Sequence, residues 1–198
     1  MMRVAVLFSG RGSNLRVLAE HMARPDVEAE FVLGLSNRPD AGGLAYCASI
    51  DVATHAIDHN AYDSRAAFDA ELDKTLRAAN VELICCAGFM RLLTTGFVDS
   101  WRDRIINIHP SLLPKYKGLH THKRAIEAGD TEAGCSVHYL RPEMDEGPVI
   151  VQRRVPIRPD DTPDTLAARV LAEEHIAYPQ ALDMVLKKMA GTASQPRH

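Results

Sequence analysis

Val4-Ala5-Val6-Leu7-Phe8-Ser9-Gly10-Arg11-Gly12-Ser13-Asn14-Leu15 is an unbroken apolar run that passes through a glycine-rich turn into a segment of helical spacing. A strand that is apolar on both faces belongs in a parallel sheet covered on both sides. Outward from it, Glu30 to Leu35, Val52 to Ile57, Val81 to Ala87 and Arg104 to Ile108 read as further strands. Between them Leu15, Leu18 and Met22, and later Phe68, Leu72 and Leu76, recur at helical spacing. The β-α-β-α alternation predicts an α/β fold with a doubly wound, mostly parallel sheet. The second half differs, because Cys135 to Leu140 and Val149 to Ile157 are joined by a segment too short for a crossover helix. They are expected as antiparallel neighbours at one side of the sheet. Asp161-Thr162-Pro163 then opens a C-terminal helix, with Thr162 as N-cap and Pro163 at its first position. Pro179 is expected to kink or divide that helix. A single domain over 1–190 and a loose tail over 191–198 complete the expected organisation.

The 198 residues include 46% hydrophobic and 25% charged side chains, the makeup of a globular domain. With 23 Lys and Arg against 26 Asp and Glu, the net charge is -3 and the pI about 6.3. That balance supplies no broad basic surface, so neither nucleic acid nor an anionic membrane is an expected partner. No apolar run approaches the roughly 20 residues that span a bilayer. The N-terminal run is also too short for a signal peptide. Cys47, Cys85, Cys86 and Cys135 form no Cys-x-x-Cys pair, and three of them lie in apolar runs. Reduced core thiols and a cytoplasmic location are the expectation.

Two places carry polar residues where an open α/β sheet binds ligands, at the C-terminal ends of its strands. The first is the Gly12-Ser13-Asn14 turn at a helix start, where unpaired backbone N–H groups and the helix dipole suit a phosphate. It is neither a Walker loop nor a full G-x-G-x-x-G, since Leu15 takes the last glycine's place and no clear acidic residue ends the second strand. A plain turn with Ser13 or Asn14 as N-cap is the alternative. The second place is Asn107-Ile108-His109-Pro110. Asn107 and His109 are two apart, so on a strand they share a face, and together they can receive negative charge developing on an attacked carbonyl. A capped strand end with a satisfied histidine is the alternative here. Asp145 can reach His109 through space to hold the ring, or serve as a turn aspartate before Gly147; spacing does not choose.

Four ordered segments carry a resemblance. They are Phe8-Ser9-Gly10-Arg11-Gly12-Ser13-Asn14-Leu15, Ala87-Gly88-Phe89-Met90-Arg91-Leu92-Leu93, Asn107-Ile108-His109-Pro110-Ser111-Leu112-Leu113-Pro114, and Gly134-Cys135-Ser136-Val137-His138 through Asp145-Glu146-Gly147-Pro148. The chain resembles the folate-dependent formyltransferases from about Arg3 to Leu186, and within them the branch that formylates glycinamide ribonucleotide. The resemblance implies a formyltransferase-like, Rossmann-type fold and 10-formyltetrahydrofolate as cosubstrate. It implies that Asn107, His109 and Asp145 are catalytic, and that Gly12, Ser13, Asn14 and Glu174 contact the ribonucleotide. Arg65, Met90, Arg91, Leu92 and Leu93 match folate-binding positions, as do Asn107 and the loop of Arg141, Pro142, Glu143, Met144 and Asp145. The implied chemistry is direct attack of the substrate amine on the formyl carbon, with Asn107 and charged His109 stabilising the tetrahedral oxyanion and Asp145 holding His109. Cys135 stands where threonine is common in the family and Lys117 where proline is.

Other formyl enzymes of the superfamily usually carry a second domain, for which this length leaves no room. A different class of reading, a metal hydrolase built from His109, His120, His122 and His138, lacks an acidic partner at ligand spacing, so no metal is expected. A non-catalytic nucleotide-binding module would keep the Gly12 turn but has no use for Asn107 beside His109. Small-molecule substrates are the expected partners, and a homodimer is compatible with the sequence.

Overall fold

The computed structural model of the chain describes residues 1–193. Its elements run β1 (Met2–Phe8), α1 (Ser13–Met22), β2 (Ala29–Ser36), α2 (Gly42–Ser49), β3 (Thr54–Ala56), α3 (Arg65–Ala78), β4 (Leu83–Cys86), α4 (Thr95–Ser100), β5 (Ile105–His109), α5 (Thr121–Glu127), β6 (Glu132–Tyr139), β7 (Val149–Pro156) and α6 (Pro163–Ala193), with a short 3-10 turn at His59–Ala61. One sheet has the order β3-β2-β1-β4-β5-β6-β7. From β3 to β5 every pairing is parallel, and β5–β6 and β6–β7 are antiparallel. The strand order reverses between β1 and β4, which are neighbours, so their C-terminal loops flank the crevice where such sheets hold ligands.

Alternation along β1 explains the two-sided burial. Val4, Val6 and Phe8 join a core with α1, α2 and α6, while Ala5 and Leu7 join a second core with α3 and α4. Burying each such leucine or phenylalanine contributes about 1.5–3 kcal/mol. α1 supplies Leu15, Leu18 and Met22, and α3 supplies Phe68, Leu72 and Leu76, the spacing expected of them. The second core stops at β5. Beyond it, β6 keeps Cys135, Val137 and Tyr139 in the first core and turns Ser136 and His138 to the opposite face, which loops rather than helices cover.

Several expectations need adjustment. The third strand is shorter than expected, Thr54–Ala56, and among the described residues it is the sheet's edge, paired with β2. Thr162 caps α6 as expected, its Oγ1 accepting from Thr165 N at 3.2 Å. Pro179 does not divide α6, which runs unbroken through it. Ala177, Tyr178, Ala181, Leu182 and Val185 are fully buried around the proline, and that packing outweighs the lost backbone hydrogen bond. Of the expected tail over 191–198, Gly191–Ala193 continue the helix, and 194–198 lie outside the described residues. All four cysteines are free and buried. Burial pushes the Cys86 and Cys135 thiols up to about 12, so they persist as unreactive neutral groups.

Candidate active site

β5 delivers the polar pair. Ile106 and Ile108 point into the first core, so Asn107 and His109 point to the other face, at the end of the strand. Asn107 sits opposite His138 in the antiparallel register, and cross-strand partners share a face. His138 is fully buried, and its Nδ1 lies 3.0 Å from Tyr139 O, a carbonyl that only accepts. The proton is therefore on Nδ1, and Nε2 offers a lone pair to Asn107 Nδ2 at 3.2 Å. Burial pushes the pKa of His138 down and keeps this tautomer neutral. One Asn107 N–H is thus held, its amide is oriented, and the second N–H is left for a ligand.

His109 is held from both sides. Nε2 is 2.9 Å from Tyr116 O, and Nδ1 is 3.5 Å from Asp145 Oδ2. Asp145 comes from the β6–β7 loop, which folds back over the sheet face, with the aspartate at φ 54°. Gly118 N donates to the same Oδ2 at 2.9 Å, and Asp145 Oδ1 lies 3.7 Å from His138 Nε2. One carboxylate therefore faces both histidines. The through-space contact that spacing left open is present. Gly147 makes the fold-back feasible: a Cβ there would sit 1.7 Å from Tyr139 O.

A cleft opens beside Asn107. Arg91, Leu92, Leu93, Arg141, Pro142, Met144 and Asp145 line it, together with Phe89. Met90 is 70% exposed at its rim, and Glu143 is exposed outside the lining. Arg65 is also outside, exposed as the first residue of α3. It stands one helical turn from Phe68, whose ring carries the Arg91 guanidinium 4.2 Å from its centroid.

The other predicted residues gather at the start of α1. Gly12 is its N-cap at φ 77°, with no side-chain cap, so the alternative of Ser13 or Asn14 as N-cap is not what forms. A Cβ at Gly12 would lie 2.8 Å from Leu15 Cδ2. The first backbone N–H groups of α1 are thereby left for an anion. Asn14 is buried and donates from Nδ2 to Glu174 Oε2 at 2.7 Å, joining the turn to α6, while its own Oδ1 has no protein partner. Burial raises the Glu174 carboxyl above the usual carboxylate range, opposed in part by the Asn14 bond.

Among the described residues, no group of three or more His, Cys, Asp or Glu is arranged to hold a metal ion. Among the described residues no helix is long and apolar enough to cross a membrane.

The formyl transferase family model matches residues 2–182. The chain belongs to the formyl transferase family. It is 43% identical over 178 residues to the phosphoribosylglycinamide formyltransferase of Escherichia coli (strain K12), covering 90% of this chain and 84% of that one. It is 49% identical over 193 residues to the trifunctional purine biosynthetic protein adenosine-3 of Drosophila melanogaster, covering 96% of this chain. It spans only 14% of that relative's length. A phosphoribosylglycinamide formyltransferase structure from Coxiella burnetii superposes with a TM-score of 0.87 at 47% identity, covering 92% of this chain and 85% of that one. The family resemblance stated from the four motifs, and the Rossmann-like fold expected with it, are therefore as described.

From the sequence, His138 figured only in the metal-hydrolase reading and in a motif, with no part in orienting Asn107. Its signal was the register, since a histidine on the polar face of β6 had to meet whatever β5 placed opposite.

Proposed function

We propose that this formyltransferase moves the formyl group of 10-formyltetrahydrofolate to the free amine of N1-(5-phospho-D-ribosyl)glycinamide, giving the formylated ribonucleotide and tetrahydrofolate in de novo purine biosynthesis. The observation that carries the reading is the oriented amide of Asn107 beside His109, whose Nδ1 faces Asp145 at 3.5 Å, at the mouth of one cleft. The substrate amine attacks the formyl carbon and the bond to the folate nitrogen breaks, so no protein nucleophile is required. Asn107 donates its free N–H to the formyl oxygen as that oxygen gains charge. His109 addresses the same oxygen from Nε2, which requires the Tyr116 carbonyl to give way. Asp145 holds His109 and takes part in moving the proton from the amine to the leaving nitrogen, directly or through water.

The phosphate is assigned to the uncapped start of α1 at Gly12, Ser13 and Asn14, and Glu174 to the same substrate. The cleft formed by the Met90 to Leu93 and Arg141 to Asp145 loops, with apolar and polar lining side chains, suits the flat, hydrogen-bonding ring system of the folate, with Arg65 and Arg91 for its carboxylates. The reading also places the enzyme in the cytoplasm, where buried free thiols stay reduced, as one domain acting on small molecules, and it allows a homodimer.

The test is to mix purified protein with 10-formyltetrahydrofolate, with and without glycinamide ribonucleotide, and follow release of tetrahydrofolate. Release that depends on the ribonucleotide is expected. Equal release without it would mean hydrolysis.

A further inference from the structure

The segment between β4 and α4 spans eight residues, Ala87 to Thr94, and includes the cleft-lining Arg91, Leu92 and Leu93. Ala87, Phe89 and Leu93 pack against the cores, but Met90 and Leu92 are 70% and 54% exposed, so apolar burial leaves much of its course unfixed. Two buried side chains from elsewhere grip its backbone instead. At one end Met90 N donates to Ser9 Oγ at 2.7 Å. Ser9 is 6% exposed, and its hydroxyl proton goes to Asn37 Oδ1, on the loop after β2. At the other end Thr94 N donates to Asp69 Oδ2 at 2.7 Å. Asp69 is 4% exposed on α3, directly after Phe68, which stacks on Phe89 and lies under Arg91. Its Oδ1 has no protein partner. A buried carboxylate is costly, and among the described side chains the use it has here is to fix this loop.

We propose that Ser9 and Asp69 are positioning residues that clamp the two ends of the 90–94 loop and thereby set affinity for the folate cosubstrate, without touching it. The inference rests on the assignment of folate to this cleft. Ser9 acts through the Met90 amide and Asp69 through the Thr94 amide. Loss of either grip lets the intervening residues sample other courses, and the ordering must then be supplied on binding. The clamp acts on the ground state and the transition state alike, so it enters KM rather than kcat.

The experiment compares Ser9→Ala, Ser9→Thr, Asp69→Asn and Met90→Asp in steady-state assays with each substrate varied, alongside thermal melting of each variant. Ser9→Ala is expected to raise KM for 10-formyltetrahydrofolate about 5- to 10-fold, the worth of one buried hydrogen bond. Its kcat and its KM for the ribonucleotide stay within about twofold. Ser9→Thr restores the hydroxyl and the wild-type KM, and Asp69→Asn, which keeps an acceptor oxygen, shows a smaller rise than Ser9→Ala. If Met90→Asp raises the folate KM and folded Ser9→Ala leaves it unchanged, the clamp is overturned while the folate cleft stands. If neither changes it, the folate assignment itself fails. A fall in kcat equal to the rise in KM would also overturn the clamp.

Discussion

The parallel strands β3 to β5 and the antiparallel strands β6 and β7 contribute different things to the same site. The parallel half offers the ends of β1 and β4, with a turn and a loop that can seat ligands, and the end of β5, with Asn107 and His109. The antiparallel half offers the β6–β7 loop, whose Arg141, Pro142 and Met144 line the same cleft. It brings His138 under Asn107 and swings Asp145 back against His109. On the proposed function, the parallel half seats the ribonucleotide and one side of the folate cleft, and the antiparallel half completes the cleft and orients the reacting groups. Changes at the α1 turn should be read in KM and changes around His109 in kcat.

The sharpest way to break that division is at the junction of the halves. His109→Ala is expected to lower kcat about 100- to 1000-fold, the cost of removing one oxyanion stabiliser, with a much smaller change in either KM. A kcat near wild type would remove His109 from the chemistry. The parallel half is tested by replacing Ser13 and Asn14 together with alanine. The expected result is about a 10-fold rise in KM for the ribonucleotide, from lost hydrogen bonds, with the folate KM nearly unchanged. Equal rises in both would show that the two ligand seats are not separate.

The smallest effect is on stability and concerns Glu174, which ties the α1 turn to α6. Its carboxyl is raised by burial, so the folded state holds the proton more tightly than the unfolded state does. The favourable contribution is complete below the unfolded pKa and is lost as pH rises through the folded pKa. Glu174→Gln removes this penalty and should raise Tm at pH 8 by about 2 to 4 °C, the usual response to 1 kcal/mol at this size, and not at pH 4. Calorimetry at the two pH values checks it; a gain of equal size at both would assign the effect to packing instead.

Much of the site could be read from local pattern. Asn107 and His109 declared themselves by being two apart at a strand end, and the Gly12 turn by the helix that follows it. Arg65 shows where pattern is less informative, because its helix was recognisable while its position relative to the cleft was not. Pro179 shows a local rule overridden by the burial around it.

By itself the sequence determined the strands of the core, the helices α1, α3 and α6, the strand end that carries the polar pair and the turn at α1, since periodicity, helix starts and glycine turns are set by neighbours along the chain. Only the tertiary structure decided that His138 orients Asn107 from 31 residues away, that Asp145 faces His109, and that Met90 is held by a serine 81 residues before it. Such contacts join chain-distant groups that carry no mark of their partner. A buried hydrogen-bonding group must be satisfied, but which distant group satisfies it is settled only when strand register and loop path bring the two together.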